Sequence, residues 1–484
     1  MKPLESDRRF PDWLWASAVT LALTLTAWQI VMAGSWLDEF WQLWISGAPD
    51  GALWARMLAD THPPWFNLFA KPILLATGGA LVPARLINLL LAMVALGAGL
   101  YRISGLDRAL RWRILLLLIA SGGAVGMSHL AVSFRSYVWL LSLATLQATF
   151  LAALALKRPV PPMFAAIVTT ASIAIHYVHA AGAIAIALVS LAVAWRGDRA
   201  AFRAILIGLA CGVGLDVVTG LLQLPQWRAN YDVNWIADSG GGAAQSLAAV
   251  GASFLTFNVI AAALLAAGLI VRRSRTVLTL LAPVPIAFIG WLILDAAEPM
   301  VVPRFMVSMT ALLAAAGAVA WWELALSPAV NAAVALLAAL QPLASAFISP
   351  PIAGWEAGAR VAADVTKECP EARLYAVSPW RFRSHPGSKA EQFEDPVIAF
   401  GYDKVAAGYG LKPQFVTGPT ILPLGSCPAM IWMEAAHGIE SVPPESILRH
   451  ALLELPGAAK ARVVATQNGA VLLISPADRL QPGP

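Results

Sequence analysis

Apolar runs of about 20 residues recur along this chain of 484 residues, and they decide what it can fold into. A run of that length, coiled as a helix, pairs all its backbone polar groups internally, as a bilayer core demands. The runs read as 13–33, 82–101, 112–131, 136–156, 162–178, 180–195, 203–222, 249–271, 276–296, 303–325 and 329–348. A shorter apolar piece, 65–79, reads as a half-helix or a strongly tilted one. Only 13% of the residues are charged and 59% are hydrophobic, whereas a soluble domain is about a quarter charged. With a mean hydropathy of +0.69, the chain reads as an integral membrane protein. Gly34, Ser35 and Trp36 resemble a signal-peptide exit, but the run before them is too long for a signal core and reads as a retained helix.

The net charge of +5 does not point to nucleic acid, because the basic residues sit in short loops. They are Lys2, Arg8 and Arg9; Arg102, Arg108, Arg111 and Arg113; Lys157 and Arg158; Arg196, Arg199 and Arg203; Arg272, Arg273 and Arg275. This is the distribution of cytoplasmic loops. The 19 Trp suit a chain rich in membrane interfaces. With the basic loops inside, residues 34–64, 132–135, 223–248, 297–302 and everything after 349 face outward. That orientation needs eleven spans, or twelve if 65–79 crosses fully. The outward loops also gather the polar residues of interest, including Tyr231, Asp232, Asp238 and Glu298.

Residues 1–349 therefore read as a transmembrane domain and 350–484 as a soluble α/β domain on the outer side. In the latter, strands are expected at Arg373–Val377, Met430–Met433, Arg462–Ala465 and Ala470–Ile474. Helices are expected at Trp355–Lys367 and at Pro444–Leu455. Gly240–Gly242 reads as a flexible loop, with the form of a lid. Cys211 reads as an inert core residue, whereas Cys369 and Cys427 could pair in an oxidising compartment, a point that spacing leaves open.

Chemistry concentrates at a few positions. Asp38-Glu39 follows the first span among Trp36, Phe40, Trp41 and Trp44. A carboxylate there reads as a general base or, more plainly, as part of a solvated turn. His62-Pro63-Pro64 opens the next apolar segment, and its prolines hold His62 at the membrane boundary. Arg135, two residues before Tyr137, suits a phosphate by its planar fork, or is a snorkelling anchor. His176 and His179 share a helix face beside Tyr177 and read as a hydrogen-bonded feature before a metal site. Arg304, behind Pro303, is a second outward Arg, with Glu298 as its plain ion-pair partner. No cofactor is required by these motifs, and a divalent cation stays an open alternative.

In this order the segments resemble the GT-C superfamily of membrane glycosyltransferases, in the branch of the bacterial aminoarabinose (lipid A) transferases and the protein O-mannosyltransferases. The resemblance covers about 10–325 and rests on Asp38-Glu39, His62-Pro63-Pro64, Arg135-Ser136-Tyr137, His176-Tyr177 and Pro303-Arg304-Phe305. Ser133 stands where many relatives carry an acidic residue. The resemblance implies a GT-C-like fold of about 11–12 helices in a bacterial inner membrane, with the site and the C-terminal domain periplasmic. It implies inverting transfer of a hexosyl or pentosyl group from a polyprenyl-phosphate donor to a lipid, glycan or protein acceptor. Asp38 would be the base and Glu39 its reserve, while His62, Arg135, Tyr137, His176, Tyr177 and Arg304 would bind substrate. The alternatives are a transporter or lipid flippase and a non-catalytic assembly or sensor role. Transporters place ionisable groups near the midplane and often show inverted repeats, neither of which is read here.

Overall fold

The computed structural model describes residues 11–103, 105–124, 132–230, 242–296, 299–348, 355–378, 389–417, 420–422, 425–434, 448, 453–454, 459–466 and 469–476. The chain divides into two compact units. One contains Met1–Met32, Asp50–Pro225 and Ser239–Pro350; the other contains Ala33–Pro49, Gln226–Asp238 and Pro351–Pro484.

The helices, in chain order, are α1 (Asp12–Met32), α2 (Leu37–Ser46), α3 (Asp50–Ala59), α4 (Trp65–Thr77), α5 (Leu81–Arg102) and α6 (Arg108–Ala124). There follow α7 (Tyr137–Ala155), α8 (Pro162–Ala174), α9 (Tyr177–Gly197), α10 (Arg199–Asn230), α11 (Ala243–Phe257) and α12 (Val259–Ala267). The last are α13 (Arg275–Leu281), α14 (Pro283–Asp295), α15 (Val307–Leu324), α16 (Pro328–Ile348), α17 (Trp355–Glu368) and α18 (Lys389–Ala407). Among the described residues, eight stretches are long and apolar enough to cross a bilayer: α1, α5, α7, α9, α10, α13 with α14, α15, and α16. The protein is a multi-pass helical membrane protein with a small C-terminal sheet.

Helices α7 and α15 form the centre of the first unit, 83% and 78% buried over their apolar windows, against 22% for α10. They pack on each other, and α15 also packs on α6 and α12. The hydroxyls of Ser142, Thr145 and Thr149 on α7 donate to carbonyls one turn back, which satisfies them within their own helix. Gly182 of α9 has to be glycine, because a Cβ there would collide with Ser308 Oγ of α15.

Several expected spans are broken differently. The run 249–271 is two helices bent by 93°. Asn258, between them, has a non-helical backbone, and its side-chain oxygen accepts from Gln341 Nε2 at 3.2 Å. The expected boundary near 179 falls instead at Ile175 and His176, where His176 is extended and caps α9. The expected span 112–131 is helical through Ala124, and 125–131 lie outside the described residues. Among the described residues there are thus eight such spans, or nine counting the bent pair, where eleven or twelve are expected. The 13-residue helices α4 and α8 are too short to meet the same test, and the described part of α6 is 17 residues. Cys211 is exposed rather than buried, because α10 is apolar without being a core helix.

The second unit is built on a five-stranded sheet of order β2-β1-β4-β7-β6. Its strands are β1 (Arg373–Val377), β2 (Gln414–Val416), β4 (Ala429–Glu434), β6 (Ala459–Thr466) and β7 (Gly469–Pro476), with a short pair β3 (Thr420–Ile421) and β5 (Leu453–Glu454) apart. Strands β2, β1 and β4 run parallel; β7 lies antiparallel to β4 and β6. An aromatic cluster holds the helices to the sheet. Tyr402 lies 4.6 Å from Trp355 and 4.7 Å from Trp432, centroid to centroid, and its hydroxyl donates to Val377 O at 3.0 Å. Most of the expected helix Pro444–Leu455 lies outside the described residues, and Leu453–Glu454 is a strand, paired in parallel with Thr420–Ile421.

Cys369 and Cys427 form a disulfide, 58 residues apart in sequence and 5.7 Å between Cα atoms. It joins the end of α17 to the lead into β4 and suits an oxidising compartment. Closing a loop of that length removes chain entropy from the unfolded state, by about 4 kcal/mol. Double replacement by Ser should therefore lower the denaturant midpoint of the second unit. Two thiols that alkylate freely in unreduced, folded protein would contradict the pairing.

Candidate functional site

The stretch between α3 and α4 builds the first half of the site. Pro63 and Pro64 lack N–H groups, which a helix start leaves unpaired in any case, so α4 begins directly after them. His62 is held just ahead of that start. Its Nδ1 lies 3.1 Å from Asp60 Oδ1, and Asn67 of α4 donates to Asp60 Oδ2 at 3.3 Å. Burial alone would raise the Asp60 carboxyl. His62 through charge and hydrogen bond, Arg135 through charge and Asn67 through its bond outweigh that and hold it below its ordinary value. Asp60 is thus a carboxylate held in an ion-paired pocket.

Arg135 is buried in the turn before α7, and its Nη2 sits 3.3 Å from His62 Nε2 and 3.4 Å from Nδ1. Asn88 of α5 fixes this turn, donating to the Arg135 carbonyl at 3.1 Å while accepting from Trp139 at 2.8 Å. Ser133, at the position where the resemblance expects an acid, is also buried.

His176 caps α9, its Nδ1 accepting from the His179 N–H at 3.5 Å. Its ring centroid lies 4.9 Å from His62, 4.6 Å from Phe305 and 6.4 Å from Tyr137. His179 is buried one turn into α9. Burial, then the charges of His62, His179, Arg135 and Arg304, push the His176 imidazole well below its usual range. Arg304 lies in a 3-10 turn, Pro303–Phe305, directly before α15.

His62, Arg135, His176 and Arg304 come from four distant segments, and each stands just before or at a helix N-terminus. Helix starts carry partial positive charge and free N–H groups. Together these groups form a polar centre in which Arg135 and Arg304 supply the positive charge and Asp60 the carboxylate. Such a centre suits an anion. Among the described residues no three His, Cys, Asp or Glu are grouped to hold a metal ion.

Tyr177 is committed elsewhere: its hydroxyl bonds to Gln223 Oε1 at 2.5 Å and Thr219 Oγ1 at 2.9 Å, both on α10. Asp60, Asn88 and Gln223 belong to the site without having been singled out in the sequence. Asp60 carried a signal, two residues before His62. Gln223 carried the weaker one of an amide in an apolar helix.

Asp38 and Glu39 belong to the second unit, in the first turn of α2. Glu39 is fully buried, whereas Asp38 is partly exposed. Helix α2 packs on α18, and Phe40 stacks 4.6 Å from Trp355. Ser35, just before α2, hydrogen-bonds Glu356 of α17 at 2.6 Å. Glu298, the expected partner of Arg304, lies outside the described residues, as do Tyr231, Asp232, Asp238, Gly240 and Gly241.

A multi-pass helical membrane protein with a polar centre at its helix starts is the class that fold and site define. No protein-family model matches the chain, and no curated protein matches it. Two solved structures are similar along almost the whole length, the crystal structures of ArnT from Cupriavidus metallidurans bound to undecaprenyl phosphate and in the apo state. Each is 16% identical with a TM-score of 0.44; they cover 97% and 98% of this chain and 99% of their own. A likeness at that level assigns no residue and no substrate to this chain.

Proposed function

We propose that the protein is a glycosyltransferase that moves a hexosyl or pentosyl group from a polyprenyl-phosphate donor to a hydroxyl of a lipid, glycan or protein. The convergence of Arg135 and Arg304 on His62 and His176 carries this reading, because a phosphate in a membrane protein needs preorganised positive charge and hydrogen-bonding groups around it. The prenyl tail would lie between helices. The acceptor oxygen attacks the anomeric carbon as the bond from that carbon to the phosphate oxygen breaks, with inversion. The proton passes to Asp38, and the lipid phosphate leaves with its charge held by Arg135 and Arg304. Glu39 is sealed in its unit, which favours Asp38 within the pair. The basic loops and the disulfide favour a periplasmic site in a bacterial inner membrane.

Mass spectrometry of envelope glycans and lipid-linked sugars in a deletion strain tests this. One lipid-linked sugar should accumulate and one sugar modification should disappear, both restored by the wild-type gene. Unchanged lipid-linked sugars and unchanged glycans would overturn the reading.

A further inference from the structure

We propose that Gln223 is a positioning residue that holds His62 in place, so that the polar centre depends on one amide of α10. The inference rests on the reading of His62 as part of a phosphate-handling site. Gln223 is fully buried within a largely apolar helix, a costly location for an amide unless every polar atom is used. Here its polar atoms are used. Nε2 lies 2.9 Å from Met57 O, 3.0 Å from Asp60 O and 2.8 Å from His62 O. Two N–H bonds thus serve three carbonyls, so one of them is shared. Oε1 accepts from the Tyr177 hydroxyl at 2.5 Å.

These three carbonyls belong to the end of α3 and the turn leading to Pro63. Two of them are the backbone of Asp60 and His62, whose side chains pair with each other. The backbone of both partners is therefore fixed by a residue more than 160 positions away. Through Tyr177 the same amide reaches the start of α9, one residue after His176. Its loss removes these bonds from the backbone that carries the Asp60–His62 pair.

The test uses the full chain in lipid nanodiscs, with diethyl pyrocarbonate as the histidine probe and mass spectrometry to read each site. Gln223→Leu should raise the carbethoxylation rate of His62 by about tenfold, the scale of losing hydrogen bonds of ordinary strength from a turn. His179, buried in α9, is the internal reference and should keep its rate. Glycosyl transfer should fall by up to about 10²-fold, as a displacement of about 1 Å in a site can cause. An unchanged His62 rate overturns the proposal. A parallel rise at His62 and His179 also overturns it, because Gln223 would then hold the fold rather than the turn. A selective rise at His62 with normal transfer keeps the clamp and removes His62 from the reaction. Should Gln223→Leu not fold, Gln223→Glu keeps the shape while replacing the N–H donors with oxygen facing three carbonyls. The same readings then apply to it.

Discussion

Replacing Asp38 with Asn should slow glycosyl transfer by about 10²–10⁴-fold, the contribution of a general base. The substitution keeps size and most hydrogen bonding, so α2 and its packing on α18 should survive. Binding of a polyprenyl-phosphate donor should be unchanged, because Asp38 is not among the groups proposed to hold phosphate. Glu39→Gln is the companion variant. Glu39 is fully buried, so its replacement should lower stability more than turnover. Asp50→Asn is the control: Asp50 is almost fully exposed and pairs with Lys71 at 2.6 Å, a surface pair of little consequence. Purified protein, labelled donor and a chromatographic readout of product decide the matter. Normal turnover in Asp38→Asn with loss in Glu39→Gln would reverse the assignment. If both variants turn over normally, no carboxylate of the pair is the base.

Arg135→Ala should weaken binding of a polyprenyl-phosphate donor by about 10- to 100-fold. A hydrogen bond to a charged partner contributes about 1.5–3 kcal/mol, and every 1.4 kcal/mol is a factor of about ten. Turnover should fall further than binding, because the leaving phosphate gains charge as the bond breaks. The turn itself should persist. Asn88 holds the backbone carbonyl of residue 135, which the substitution leaves in place. Arg135→Lys keeps the charge but loses the planar fork, so it should fall between Ala and wild type. Titration in nanodiscs measures the affinity; wild-type affinity in Arg135→Ala would remove this residue from the phosphate site.

His62, Arg135, His176 and Arg304 were legible in the chain because such residues announce themselves. Arg135 and Arg304 are charges beside apolar runs, and His62 stands against two prolines. Such residues carry their signal locally, in the cost of placing them near lipid. Their partners do not. Asp60 is a carboxylate in a polar loop, where carboxylates are ordinary. Its role appears only once the loop brings it to 3.1 Å from His62 and beneath the charge of Arg135. Gln223 is an uncharged side chain in a run dominated by apolar ones, and hydropathy averages it away.

The sequence by itself determined the class. Runs of about 20 apolar residues can fold only as spanning helices, because a bilayer offers the backbone no other partner. It also determined β1 and β4, where short β-rich runs sit in a polar context. The tertiary structure alone decided where long runs break, since Asn258 interrupts a helix by a side-chain contact with α16. It alone joined Cys369 to Cys427, and it alone grouped Ala33–Pro49 with the C-terminal residues. The physical reason is the same in each case. Transfer of a segment into lipid is a property of its own composition, whereas a hydrogen bond or a disulfide is a property of two distant positions. Gln223 and His62 stand 161 residues apart, and nothing local to either one names the other.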